Sequence, residues 1–422
     1  MSSKLSVAAV GAWLLVAAYY FYQYALRSAP SVMMPELTAP FGVDALGVSA
    51  IVGMFYYGYS PFSLVAGAAI DRYGARKIVP IGAALVGAGA ILFGTGDVAA
   101  ANIGRFLQGA GGVFALVGAV YLITKNFPAS LAASFIGATQ MFGMAGGSAG
   151  QFLVGPIIKG GLPWGQFWIY AGTAGLALSA CLFLFLPKES RSASTGGFAS
   201  VMRSLKTVFI NPQSLLCGFI SGLLFIPTTI FGMTWGVRFL QEARSREYDA
   251  AVILAATVPL GWMIGCPLLG YISDKLGRRK PVILAGSAML LAVLAWVLFG
   301  DPEILRGHSV GILMGIASGA AMLPYTVIKE ANPPELGGSA TGVINFINFT
   351  FSALLGPVFG SRLVDVPEGD DAAALAHYQT GFQPLLYGIV LALVLTCFLK
   401  ETGPAARKAG GNSELTKDPR SS

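Results

Sequence analysis

Between residues 8 and 400 the chain is a series of apolar runs, each about as long as a lipid bilayer is thick. A hydrocarbon core of about 30 Å takes about 20 residues of helix. Twelve such runs fit, at approximately 8–34, 46–69, 77–96, 99–124, 130–158, 164–187, 213–238, 249–272, 280–300, 305–328, 337–364 and 380–400. In lipid every backbone N–H and C=O needs a partner within its own helix or a closed barrel. These runs are too long and too continuously apolar for barrel strands. The expected fold class is an all-α membrane protein with twelve transmembrane helices. Only 11% of the residues are charged, against about 25% in soluble domains. The 55 glycines suit helices that must pack closely without a hydrophobic driving force between them. The opening MSSKLSVAAVGAWLLVAAYY resembles a signal peptide, but it shows no convincing cleavage site and is long enough to span, so it reads as the first membrane helix.

Lysine and arginine set the orientation. With the amino terminus inside, 19 of the 27 Lys and Arg collect on the cytoplasmic side. The expected placement is a multi-pass inner (cytoplasmic) membrane protein with both termini cytoplasmic. The net charge of +7 is then a matter of topology, and nucleic-acid binding has no place. All 20 carboxylates fall in loops or at span ends, and His308 and His377 lie near the outer ends of spans. Cys181, Cys217, Cys266 and Cys397 lie singly inside apolar runs, with no metal-ligand spacing. No metal or cofactor is expected.

Six spans lie on either side of residues 188–212, a Ser/Gly-rich, then basic and weakly amphipathic stretch that reads as a linker on the membrane surface. The expected organisation is an N-terminal bundle (1–187), the linker (188–212), a C-terminal bundle (213–400) and a disordered tail (401–422). The two halves share a signature. GAAIDRYGARK (Gly67 to Lys77) follows span two, and GYISDKLGRRK (Gly270 to Lys280) follows span eight, 203 residues later. Both fit G-x-x-x-D-[RK]-x-G-x-[RK]-[RK]. A generic basic loop explains the cations but not the matched aspartate and glycines.

With GRFLQG (residues 104–109) in span four, these loops and the six-plus-six layout resemble the major facilitator superfamily. The resemblance covers nearly the whole chain. It implies two pseudo-symmetric six-helix bundles rocking about a central cavity, and a gating role for Gly67, Asp71, Arg72, Gly74, Arg76, Lys77, Gly270, Asp274, Gly277 and Arg278. Asp71 is expected to cap the N-terminus of span eleven near Gly337–Ser339, where the helix dipole is positive, and Asp274 to do the same for span five near Ser130. Both contacts belong to the outward-open state. The stretch YYFYQYALRSAP (residues 19–30), followed by SAPSVMMP (residues 28–35) in place of an SPxxxxP-like pattern, is also similar to a proteobacterial branch associated with amino-acid and organic-anion uptake.

Two cations remain inside the membrane, Arg27 in span one and Arg105 in span four, and neither has a carboxylate in its own span. A buried guanidinium needs a counter-charge, water or several acceptors. Arg27 either snorkels to outer water beside Glu36 or waits for an anionic ligand, which it would hold through two parallel hydrogen bonds. Arg105 matches the family's span-four arginine, which often serves gating or coupling rather than direct contact; for Arg105 itself substrate contact and a structural or gating use both stand open. Tyr20, Gln23 and Tyr24 share a helical face with Arg27, and Tyr56 and Tyr59 follow in span two; these tyrosines form either an aromatic cavity wall or an interfacial belt. Gln140, Trp262, Tyr325, Asn345 and Asn348 complete the candidate substrate-binding set.

Proton symporters carry their proton on an intramembrane Asp, Glu or His, and none lies at mid-depth here. A monomeric uniporter or exchanger for a small anionic or zwitterionic solute, an organic acid or amino acid, is the expected function. A proton-coupled symporter of a short peptide, sugar acid or nucleoside is the alternative. A transporter-like receptor needs a partner surface that the short linker and tail hardly offer. A membrane enzyme needs catalytic groups within the spans, and ATP drive needs a phosphate-binding loop that the sequence lacks.

Overall fold

A computed structural model describes residues 6–187, 198–301, 309–363, 366–367 and 370–405, and no strand occurs among them. Residues 406–422 of the expected tail and most of the linker's first half lie outside the described residues. Eleven helical stretches are long and apolar enough to cross a membrane, and a bent pair supplies the twelfth. In chain order the helices are α1 (Val7–Ser28), α2 (Met34–Phe41), α3 (Ala45–Tyr73), α4 (Ala75–Phe93), α5 (Val98–Asn126), α6 (Ala129–Phe152), α7 (Val154–Lys159) and α8 (Trp164–Phe185) in the first half. After the linker helix α9 (Phe198–Ile210) come α10 (Pro212–Pro227), α11 (Gly236–Glu242), α12 (Tyr248–Leu276), α13 (Lys280–Phe299), α14 (Ser309–Ser318), α15 (Leu323–Glu330), α16 (Gly337–Leu363) and α17 (Asp371–Phe398).

The departures from straight spans have local causes. Span one stops at Ser28 rather than near residue 34, because Pro30 and Pro35 open a 3-10 turn (Ala29–Val32) and then α2. Helix α2 meets α3 at 102°, and Gly42, at φ 62°, takes the left-handed conformation that ends it. Arg27 therefore sits in the last turn of α1. Span seven passes through a π-helical segment, Thr228–Trp235, just after Pro227, and span ten through a 3-10 segment, Gly319–Met322, just before Pro324. Such irregular backbone is tolerated at membrane depth where it is buried in protein or borders a cavity.

Glycines set the tightest crossings. A Cβ on Gly58 would strike the Phe106 carbonyl of α5, and one on Gly261 the Ile312 carbonyl of α14. These glycines are also 203 residues apart (261 − 58), so the internal repeat extends from the loops into helix packing. The halves meet along α3 and α16, where the Ser60 hydroxyl donates to Phe346 O at 2.9 Å. They also meet along α6 and α12, where the Ser148 hydroxyl donates to Ala256 O at 2.8 Å. Further contacts on the face opposite the linker include Tyr248 OH to Val32 O at 2.6 Å and an exposed Lys159–Asp249 ion pair at 3.1 Å. That pair contributes little by itself. At the linker face a cleft of about 570 Å³ opens between the ends of α3 and α16. The contacts between the halves therefore differ at the two faces: a hydrogen bond and an ion pair on one, a cleft on the other.

That asymmetry bears on the repeated loops. Gly74 and Gly277 take positive φ, 83° and 64°, at matched positions. Asp71, Gly338 and Ser339 line the same cleft, but the expected cap is not made: among the described residues no hydrogen bond joins Asp71 to the start of α16, since the cleft stands open between them. Gly67 and Arg72 line this cleft too, while the Arg76 guanidinium donates to Leu186 O at 2.9 Å. Asp274 is engaged within its own half. It pairs with Arg279 of its own loop, and Arg279 also binds Glu330 at 2.9 Å. A guanidinium five residues away engages the carboxylate before any distant helix end can; the Ser130 side chain lies outside the described residues. The other loop residues, Lys77, Gly270 and Arg278, stay at the linker face, with Lys77 and Arg278 exposed. Replacing Arg279 with alanine should lower stability by about 2 kcal/mol, since it leaves Glu330 half-buried with its charge uncompensated and only the Thr402 hydroxyl donating to it; thermal unfolding in detergent checks this.

Glu401 adds a pH-dependent tie. Partial burial raises its pKa, but backbone N–H donors from Arg279, Gly403, Lys280 and Thr402 outweigh this and hold the carboxyl below its usual range. The folded pKa is below the unfolded one, so the contribution is complete above about pH 4.3 and is lost as pH falls through the folded value. Glu401→Gln should lower the melting temperature at neutral pH, and the gap should close on acidification below about pH 4.

Helix α9 is amphipathic, with Leu205 and Val208 buried and Arg203 and Lys206 exposed.

Candidate functional site

At the centre of the molecule the two halves enclose a small cavity of about 30 Å³, room for roughly two waters. Tyr20 and Tyr24 of α1, Tyr59 of α3 and Gln140 of α6 line it from one half. Trp262 of α12, Tyr325 of α15, and Asn345 and Asn348 of α16 line it from the other. Several of these polar groups are held by a neighbouring helix. Tyr20 OH donates to Gln140 Oε1 at 2.7 Å, and Tyr325 OH to Asn345 Oδ1 at 2.6 Å. Asn348 Nδ2 donates to Tyr325 OH at 3.3 Å, and Trp262 Nε1 to Thr228 Oγ1 at 2.8 Å. Asn348 Oδ1 is buried with no partner.

Arg27 lies directly behind this wall rather than in it. It is 2% exposed. Its Nε is 3.4 Å from Tyr56 OH, and both terminal nitrogens are buried without a hydrogen-bond partner. Five rings surround the guanidinium carbon at 5.0–5.5 Å: Tyr24, Phe55, Tyr56, Phe225 and Phe349. Tyr24, Phe225 and Phe349 also line the cavity, so these rings are what separates the cation from it. No salt bridge reaches Arg27 among the described residues. Neither does it snorkel: at 2% exposure the side chain does not reach water. Gln23, one turn earlier, is equally buried, and neither atom of its amide has a partner.

Arg105 does not line the cavity. It donates to Val52 O through Nε and Nη2 at 3.3 Å, to Leu26 O at 3.2 Å and to Gln108 Oε1 at 2.7 Å. Its hydrogen bonds are spent on tying α5 to α1 and α3. Leu26 lies in the last turn of α1, where carbonyls lose their helical partners, and the close approach of α3 to α5 brings Val52 O within reach. Sequence reasoning also missed Phe225 and Phe349. Phe349 could have been found by extending the Asn345/Asn348 face one residue, to i+4.

The Major Facilitator Superfamily model matches residues 16–357. The chain belongs to this family. Among curated proteins it is similar to the hexuronate transporter of Bacillus subtilis, 24% identical, over 81% of this chain and 85% of that one. It is similar to the multidrug resistance protein Stp of Mycobacterium tuberculosis (strain CDC 1551 / Oshkosh), 25% identical, over 79% and 72%. It is likewise similar to a probable galactarate/D-glucarate transporter of Escherichia coli, 22% identical, over 82% and 85%. Among solved structures, a point mutant of the nucleoside transporter NupG superposes with a TM-score of 0.70 at 16% identity, over 92% of this chain and 99% of that one. That likeness carries the fold, which is the one expected: a major facilitator fold of two six-helix halves.

Proposed function

We propose that this family member carries a small carboxylate-bearing solute, an organic acid or amino acid, across the inner membrane by alternating access, as a uniporter or exchanger. The observation that carries the reading is Arg27: a guanidinium behind the central cavity whose two terminal nitrogens have no partner and which no carboxylate among the described residues neutralises. Those two nitrogens form the fork that a carboxylate engages bidentately. The hexuronate and galactarate/D-glucarate relatives, whose names are those of acids, favour the organic-acid half of the proposal. In this reading the linker face is cytoplasmic. Residues 1–187 and 213–400 are the moving halves, residues 188–212 join them, and the chain works as a monomer.

The test is counterflow in proteoliposomes with a radiolabelled hexuronate, galactarate, an amino acid and a neutral hexose. Acids should exchange and the neutral hexose should not, with no loss on adding an uncoupler. Exchange of the hexose as fast as the acids would end the anion reading. Uptake into empty vesicles that a proton gradient drives and an uncoupler collapses would favour the proton-coupled alternative.

A further inference from the structure

The rings around Arg27 come from both halves. Tyr24, Phe55 and Tyr56 belong to α1 and α3, while Phe225 and Phe349 belong to α10 and α16. The N-terminal half alone therefore supplies an incomplete box. The two phenylalanines close it only when the halves meet over the cavity, as they do here with about 30 Å³ left inside. Phe349 also packs on Tyr59 at 4.3 Å and Phe225 at 5.6 Å, so the two C-terminal rings form one continuous wall.

A carrier that binds an anion through a buried cation has an energetic difficulty when empty. To return without cargo it must enclose the cation with nothing to neutralise it, and desolvation opposes this. If nothing compensates, the return is slow and the protein can only exchange one anion for another. Aromatic faces attract a guanidinium through their quadrupole, most strongly where water is excluded. We infer that Phe225 and Phe349 serve as the stand-in counter-charge of the empty carrier: they complete an aromatic cage on Arg27, let the unloaded protein occlude and return, and so permit net transport rather than obligatory exchange. This rests on the anion-carrier reading above. The cargo carboxylate then displaces ring faces from the guanidinium rather than filling a vacant site.

The test separates two fluxes in proteoliposomes with a radiolabelled hexuronate, galactarate as the second probe. Exchange is read as counterflow into vesicles preloaded with the same acid, and net transport as uptake into empty vesicles. Phe225→Leu and Phe349→Leu keep bulk and apolarity but remove the ring, so counterflow also reports that the variants fold. In the double variant the ratio of net uptake to counterflow should fall at least tenfold, and Phe349→Tyr, which keeps the ring, should retain the wild-type ratio. Net uptake and counterflow falling together, or neither falling, would overturn the inference, because the rings would then be packing alone. Absence of wild-type counterflow with either acid would remove the carrier reading itself and this inference with it. Wild-type exchange without any net uptake would remove the inference and leave the carrier reading standing.

Discussion

Arg27→Lys should cut counterflow of a carboxylate substrate by about 100-fold while leaving the protein folded. The charge is kept but the planar fork is lost, and an ammonium cannot make two parallel hydrogen bonds to one carboxylate. A hydrogen bond to a charged group contributes about 1.5–3 kcal/mol, and a 100-fold change corresponds to about 2.7 kcal/mol at 1.36 kcal/mol per decade. The loss should appear in kcat/KM, measured by initial rates over a range of substrate. Stability should move the other way in Arg27→Gln. Removing an unneutralised cation from a 2%-exposed position relieves its desolvation, so the melting temperature should hold or rise even though transport is abolished. Wild-type rates in Arg27→Lys would exclude the guanidinium as the ligand clamp.

Gly109→Val should be the most damaging single change to folding in the N-terminal half. A Cβ on Gly109 would lie 2.8 Å from Phe55 C and from Tyr59 N, and closer still to Phe55 O. All of these atoms are backbone and cannot swing aside, so α5 would have to withdraw from α3. The expected cost is about 3 kcal/mol or more, read as lost monodisperse protein in detergent and a lower melting temperature. Gly53, on the same α3, has open space where a Cβ would go, with nothing within 4 Å, and Gly53→Ala should stay within about 0.5 kcal/mol of wild type. Similar losses in both variants would mean that glycine content, rather than this crossing, governs the packing.

How much of this the sequence shows depends on the kind of information involved. Hydropathy alone gives twelve crossings, because lipid imposes one demand on every residue of a span. The residue types that favour a cavity, Tyr20, Tyr24, Tyr59, Gln140, Trp262, Tyr325, Asn345 and Asn348, are polar or amphipathic groups in an apolar background, and the structure brings them together. What stays hidden is whatever the backbone supplies. The acceptors of Arg105 are the Val52 and Leu26 carbonyls, which no residue type announces. The break after Ser28 follows from Pro30 and Pro35, yet hydropathy runs straight through them. Phe225 and Phe349 look like ordinary lipid-facing residues until the two halves are placed face to face.

The two copies of the loop signature have different neighbours, and that difference has a mechanical consequence. The second copy is riveted: Asp274 to Arg279, Arg279 to Glu330, and Glu401 across the start of α13. The first leaves Asp71 at the rim of the cleft with no hydrogen bond to the opposing helix among the described residues. A crosslink or bulky label at the second loop should therefore leave the working cycle running, whereas the same attachment beside Asp71 should jam it. On the carrier reading, inherited symmetry is divided into an anchor and a moving jaw.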